Sequence, residues 1–285
     1  MSDEIRVVSW NAQGRAHDIL AEFAPHVLLR QGLTGADAEG DKALWAEANA
    51  LGGLVPFMTT LTARRSRRSG VMIDPRLFEV TARTDNDLPW KPICHVQVRR
   101  RGLPRTLHLV SAHLTHHDPD LRMLESRRLT VIADRGHTAL IGIDAASYPH
   151  RTADEISLRL RWDAVEDRVH YQHRTVVDRH GSRVSDTRPS TILTGGRRPV
   201  FTDLAHHAGT VLGQDGSLAA TASLGRTDQG PPQRTDIAVH TPDLTPALLS
   251  LKVIDTQAVR EHSDHAVLVA RYDLATVDRV LSTAR

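Results

Sequence analysis

Short apolar runs that end abruptly in a polar residue recur along this chain, and they limit its fold more than any other feature. Arg6-Val7-Val8-Ser9-Trp10 stops at Asn11, Leu107-His108-Leu109-Val110 leads into Ser111-Ala112-His113, and Ala139-Leu140-Ile141-Gly142-Ile143 stops at Asp144. Each run has the length and branched apolar composition of a buried strand. Similar runs lie at 27–29, 71–73, 95–98, 235–240 and 266–272. Helical periodicity separates them: Ala16, Ile19, Leu20 and Phe23 fall on one face, with Pro25 beyond. Asp118-Pro119 predicts a helix start, with Asp as N-cap and Pro in the first turn. A last helix is predicted at about 273–284, where Leu274, Val277 and Leu281 share a side.

This order predicts a mixed α/β (α+β) architecture rather than a helical bundle or an all-β barrel. A chain of 285 residues can bury a substantial core, and no repeat or convincing linker divides it. A single domain over 1–285 is therefore expected. The Arg/Asp/Gly-rich stretch from Tyr171 to Pro199 reads as a long surface excursion, of the kind that often carries function.

Composition removes several alternatives. The one cysteine, Cys94, rules out an intramolecular disulfide and a cysteine-built zinc knuckle. The segment MSDEIRVVSW lacks the long apolar region of a secretory signal and is not expected to act as one, and no window reaches the ~20 apolar residues of a membrane-spanning helix. A cytoplasmic location is expected. The 36 Lys+Arg nearly cancel the 34 Asp+Glu, so no global basic field announces a nucleic-acid partner. Aromatic residues make up 4% of the chain, which gives little support to a base-stacking channel. Oligomeric state leaves no mark in the sequence.

The polar residues that close the strand runs are the candidates for chemistry. Taken singly, an Asn or Asp at a strand end is a turn residue or a cap. Taken in order, Ser9-Trp10-Asn11, Pro25 to Gln31, Ser111-Ala112-His113-Leu114, Leu140 to Asp144, Thr235-Asp236-Ile237 and Ser263-Asp264-His265 form a set. That set resembles the endonuclease/exonuclease/phosphatase superfamily, which includes deoxyribonucleases, abasic-site endonucleases and sphingomyelinases. The resemblance spans roughly 5–272, and the closing Ser-Asp-His before a strand is its most specific part.

The resemblance implies a four-layer α-β-β-α sandwich with its site at one edge of the paired sheets. It implies that Asn11 contacts metal or phosphate and that Asp264 faces the metal. Asp144 would orient or deprotonate water, His265 would stabilise the phosphate with Asp236 orienting its ring, and His113 would serve phosphate contact or proton transfer. A carboxylate beside an imidazole also favours the protonated ring, a suitable partner for phosphate. A hard divalent cation, Mg²⁺ or Mn²⁺, would neutralise developing charge.

Two positions depart from the family pattern. The usual Gln-Glu that supplies the principal metal ligand is Gln31-Gly32, and the usual Gly-Asp-Phe-Asn is Ile143-Asp144-Ala145-Ala146. The resemblance then implies a degenerate metal site with weakened or absent binding. Asp37, Glu39 and Asp41 follow Gly32 in sequence and could replace the carboxylate, and His116, His117 and Asp118 close after His113 could favour a softer metal such as zinc. Arginine clusters at Arg64, Arg65, Arg67 and Arg68, at 99–101 and at 197–198 could bind a phosphate-ester substrate or a nucleic acid, or simply be hydrated. The expected function is a divergent phosphate-ester hydrolase. The alternative is an inactive phosphate-ligand or nucleic-acid binding protein on the same fold.

Overall fold

A computed structural model describes residues 3–14, 16–35, 41–60, 68–85, 91–151 and 160–283. The strands are β1 (Glu4–Asn11), β2 (Val27–Leu33), β3 (Val55–Met58), β4 (Arg68–Ile73), β5 (Phe78–Asp85), β6 (Cys94–Arg100) and β7 (Thr106–His113), then β8 (Thr138–Asp144), β9 (Thr175–Val177), β10 (Arg183–Ser185), β11 (Thr202–Asp203), β12 (Asp236–His240), β13 (Leu248–Ile254) and β14 (Val267–Asp273). The α-helices are α1 (His17–Ala21), α2 (Lys42–Ala50), α3 (Pro119–Thr130), α4 (Arg168–Arg174), α5 (Arg188–Thr194), α6 (Leu204–Thr210), α7 (Gln257–His262) and α8 (Leu274–Ser282). Among the described residues none is long and apolar enough to cross a membrane.

Two six-stranded sheets carry the fold, ordered β13-β14-β1-β2-β4-β3 and β11-β12-β8-β7-β6-β5. Each is mixed: β1 and β2 run parallel in the first, β7 and β8 in the second, and the other neighbours are antiparallel. Strand alternation sorts the apolar residues into layers. Val7, Leu29, Leu109, Leu140 and Leu268 fill the space between the sheets. Val8, Trp10 and Leu28 pack outward against Ile19 and Leu20 of α1, Leu44 and Ala48 of α2 and Val259 of α7. Val110, Ala112, Ile141 and Ile143 pack on the opposite outer face with Leu129 of α3 and Leu193 of α5. The result is the expected α-β-β-α sandwich.

The predicted helix starts hold. Asp118 accepts bonds from the Asp120 and Leu121 amides, and Asp273 accepts one from the Thr276 amide. The stretch from Tyr171 to Pro199 corrects the expected surface excursion. It contains the end of α4, the β9–β10 hairpin and α5, held by a buried Arg122–Asp186 pair at 2.8 Å.

Close packing of the sheets behind the site depends on one glycine. A Cβ on Gly142 would lie 2.3 Å from Ser9 Oγ and 3.0 Å from Leu29 Cβ. Beside it, Gln31 Nε2 donates to Ser111 Oγ at 3.0 Å and to the Gly142 carbonyl at 3.2 Å, crossing from one sheet to the other. Satisfied buried polar groups of this kind fix the relative placement of two layers.

Candidate functional site

Topology places the polar strand ends on one rim. Asn11 ends β1, His113 ends β7 and Asp144 ends β8, while the antiparallel β12 begins at Asp236. In register, His113 sits opposite Asp144, and Asp144 opposite Asp236. The loop before β14 is stitched to the end of β1: Ser263 Oγ donates to the Asn11 carbonyl at 2.6 Å, and Trp10 Nε1 donates to the His265 carbonyl at 2.9 Å. Six residues from distant segments thus reach the same corner.

Their contacts are direct. Asn11 Nδ2 donates to Asp144 Oδ2 at 2.7 Å, and its distance to His265 Nε2 is 3.4 Å. His113 Nε2 is 3.2 Å from Asp144 Oδ2, and the Ala146 amide donates to Asp144 Oδ1 at 3.0 Å. His265 Nδ1 lies 2.8 Å from Asp236 Oδ2, while Asp264 Oδ1 is 3.7 Å from His265 Nε2. Asn11, Asp144 and Asp236 are buried, whereas Asp264 is about half exposed, at 47% of its side chain.

Electrostatics separate the two buried aspartates. Burial alone would raise the Asp144 carboxyl, but the charges of His113, His265, Arg174 and Lys91 overcome it and hold the group well below the usual range. Asp236 goes the other way, to about 6, because burial and the negative charge of Asp144 outweigh its histidine partner. His265 is pulled down by burial yet raised to about 9 by Asp236, Asp144 and Asp264. At neutral pH the pair is therefore an imidazolium on a carboxylate.

Asp144, Asp236 and His265 could hold a metal ion: each offers one ligand atom, and these lie within 4.8 Å of one another. Asp236 Oδ1 is buried with no hydrogen-bond partner among the described residues, so it is an oxygen that a cation would satisfy. The group fits a cation that accepts one nitrogen ligand in exchange for the proton on His265. It differs from the Asn11–Asp264 pair that the resemblance implied. Gly32 explains part of the difference. It sits at φ +72°, and a Cβ there would lie 2.2 Å from Asn11 Oδ1. The Asn11 amide occupies the space a side chain at 32 would need.

A cavity of about 260 Å³ opens on this corner, lined by Asn11, His113, Asp144, Asp264 and His265 together with Arg174 and others. Gly32 and Ala146, the two positions that depart from the family pattern, are not among the lining residues. Arg68 is buried on β4, where it donates to the Thr59 carbonyl and lies 3.8 Å from Asp41; it does not line the cavity. Arg64, Arg65 and Arg67, like Asp37 and Glu39, fall outside the described residues. Arg100 pairs with Asp278, and Arg197 and Arg198 are exposed elsewhere.

Sequence reasoning missed Tyr148, His170 and Arg174 as wall residues, and gave His116 only as a softer metal ligand. The available signal was Asp167 followed by His170 and Arg174 at helical spacing, with Asp167 as N-cap: its carboxylate accepts bonds from the Val169 and His170 amides at 2.9 Å.

No family model matches the chain, and no curated protein does. Solved structures do. An endonuclease/exonuclease/phosphatase from Bacteroides vulgatus is similar at 11% identity and a TM-score of 0.62, over 94% of this chain and 98% of that one. An AP endonuclease from Archaeoglobus fulgidus is similar at 14% identity and a TM-score of 0.61, over 94% and 99%. TDP2 from D. rerio, complexed with a single-strand DNA product, is similar at 10% identity and a TM-score of 0.59, over 95% and 99%. The paired mixed sheets, their helical covers and these near-full-length matches show that the chain has the endonuclease/exonuclease/phosphatase fold.

Proposed function

We propose that this protein hydrolyses phosphate esters at the rim of its two sheets, with a phosphodiester such as a nucleic-acid strand as the favoured substrate class. The observation that carries the reading is the His265–Asp236 pair at 2.8 Å, whose His265 lines the same cavity as Asp144 and His113. A half-buried imidazolium held by a carboxylate is a fixed positive group for a phosphate whose charge grows during reaction. The DNA product held by the similar TDP2 supports a nucleic-acid strand as ligand.

The residues divide the work by their protonation. Asp144, held below the usual carboxylate range, is a weak proton acceptor; its part is to orient the attacking water in line with the leaving oxygen. Asn11 fixes Asp144 and presents an amide to the phosphate. His265 takes the non-bridging charge while Asp236 fixes its ring. His113 passes a proton to the leaving oxygen. Asp144, Asp236 and His265 would hold Mg²⁺ or Mn²⁺ weakly, since the cation must displace a proton from His265. When bound, the cation would add charge neutralisation at the phosphate.

The test is turnover of bis(4-nitrophenyl) phosphate and of a single-stranded oligonucleotide, with and without Mg²⁺ or Mn²⁺. His265→Ala and Asp144→Ala should each lower kcat/KM by about 10²–10³. Absence of cleavage across nucleic-acid, sugar-phosphate and lipid-phosphate substrates would overturn the reading. Tight phosphate binding without turnover would replace it with a binding protein.

A further inference from the structure

We infer that Arg174 is a further catalytic residue of this cavity, its guanidinium taking the non-bridging oxygens of the phosphate opposite His265. The inference deepens the hydrolase reading and rests on it for the reaction, though not for the binding of the anion.

Placement comes first. Arg174 closes α4, and its Nη1 donates to the carbonyl of Ala146. Ala146 belongs to the turn that follows Asp144, and its own amide holds Asp144 Oδ1 at 3.0 Å. One carbonyl therefore ties the guanidinium to the turn that fixes the water-orienting carboxylate. Arg174 lines the cavity together with Asn11, Asp144 and His265.

Charge pairing sets it apart from the buried arginines and from its neighbour in the cavity wall. Arg30 is paired with Glu47, Arg122 with Asp186, Arg234 with Asp203 and Arg105 with Asp243. Arg226, the other arginine in the cavity wall, makes two bonds to Asp228, at 2.9 and 2.7 Å. Among the described residues no carboxylate lies within ion-pair distance of Arg174; a neutral carbonyl is its one partner. An unpaired guanidinium in a half-buried wall is costly unless a ligand answers it. Its remaining donors form a planar fork that matches two phosphate oxygens, which a single carbonyl leaves unused. The field is already felt locally, since Arg174 helps to keep Asp144 ionised and His116 and His170 neutral.

The chemistry balances without a further reactant. Water attacks phosphorus, the bond to the leaving oxygen breaks, and that oxygen takes a proton from His113. The nucleophile's proton leaves to solvent. Arg174 and His265 hold the two non-bridging oxygens throughout, covering charge that a cation coordinated by a glutamate at position 32 would otherwise cover.

The experiment uses the full chain and two readouts: turnover of bis(4-nitrophenyl) phosphate, and calorimetric binding of inorganic phosphate. Arg174→Gln keeps a donor for the Ala146 carbonyl but loses the charge, so a purely structural role predicts little change. We expect kcat/KM to fall about 10²–10³-fold and phosphate affinity to fall about tenfold or more. Guanidinium added to Arg174→Ala should restore part of the rate. Arg174→Lys keeps charge without the fork and should lose about tenfold; it decides the matter if the glutamine variant does not fold. Arg226→Gln should weaken phosphate by less than about threefold, the scale of an exposed, already paired charge. If the parent binds phosphate without turnover and Arg174→Gln loses that binding, the hydrolase reading fails and the anion site stands. Arg174→Gln or Arg174→Lys matching the parent in both readouts would overturn the inference, as would a parent that binds no phosphate.

Discussion

The rim has two corners that look alike in sequence and differ in structure. In the first sheet Gly32 stands where the resemblance implies a glutamate, and in the second Ala146 stands where it implies an asparagine. At Gly32 the backbone is left-handed and the path of a side chain ends 2.2 Å away on Asn11 Oδ1. At Ala146 the backbone is also left-handed, φ +49°, a conformation that asparagine tolerates better than alanine. The methyl is nevertheless fully enclosed, with 0% exposure. One position leaves no room for a side chain, and the other encloses a small one. Whether either could accept the residue the resemblance implies therefore depends on what occupies the space beside it.

The largest effect that would break this comparison is Gly32→Glu. A non-glycine residue at positive φ costs about 1–2 kcal/mol, and the Cβ must expel the Asn11 amide from its bond to Asp144. We expect a loss of about 2–4 kcal/mol in denaturant unfolding and activity at least about tenfold below the parent, with no gain from Mg²⁺. A double-mutant cycle isolates the contact: Gly32→Ala should cost about 1 kcal/mol less in an Asn11→Ala background than in the parent. Strong new activity from Gly32→Glu alone, or from Gly32→Glu with Ala146→Asn, would show that the first corner is an open vacancy after all.

Protonation gives the next effect, because the working state of the rim, where the two sheets meet, needs Asp236 ionised and His265 protonated. Asp236 is raised to about 6 and His265 to about 9. Activity should therefore be flat between these values. It should fall roughly tenfold per pH unit below the window, as Asp236 gains a proton, and likewise above it, as His265 loses one. Asp236→Asn removes the charge that holds the proton on His265. The alkaline limb should then move down by about one unit or more. A pH–rate profile whose alkaline limb ignores Asp236→Asn would separate the pair that the geometry joins.

Much of this rim was legible in the sequence, for a physical reason: a buried strand that ends in a polar side chain announces both the sheet and its functional edge. Asn11, His113 and Asp144 could be read that way, and Asp236 as the polar residue that opens its apolar run. The contact between Asp236 and His265 was implied only by the family resemblance and not by the strand pattern, because the two sit on different sheets and only the packing of the sandwich brings them together. The steric state of Gly32 could not be read there either, because it depends on Asn11 lying beside Gln31 across the parallel β1–β2 pair. Arg174 was hidden for a third reason. Its stretch is rich in charge and poor in apolar period, so the β9–β10 hairpin and α5 form through tertiary contacts such as Arg122–Asp186 rather than through local pattern. The edge strand β3 was missed for another reason: Pro56 cannot donate to the ladder and weakens the strand signal.

The smallest effect is Ala146→Asn, and two opposing contributions decide its sign. Asparagine relieves up to about 1 kcal/mol of left-handed strain. Against that, it places three more heavy atoms where no surface is accessible, and overpacking costs about 1–3 kcal/mol. Packing wins, so a net loss near 1 kcal/mol is expected, with kcat/KM within about tenfold of the parent. Ala146→Gly separates the two contributions. It relieves the same strain while giving up a buried methyl worth about 0.8 kcal/mol, and should come out close to neutral in thermal unfolding. If Ala146→Asn were as damaging as Gly32→Glu, the second corner would be as closed to a longer side chain as the first. If it were stabilising and raised activity, the enclosure at Ala146 would be a soft one, and the turn between Asp144 and Arg174 would be the place where this rim can still accept a further ligand.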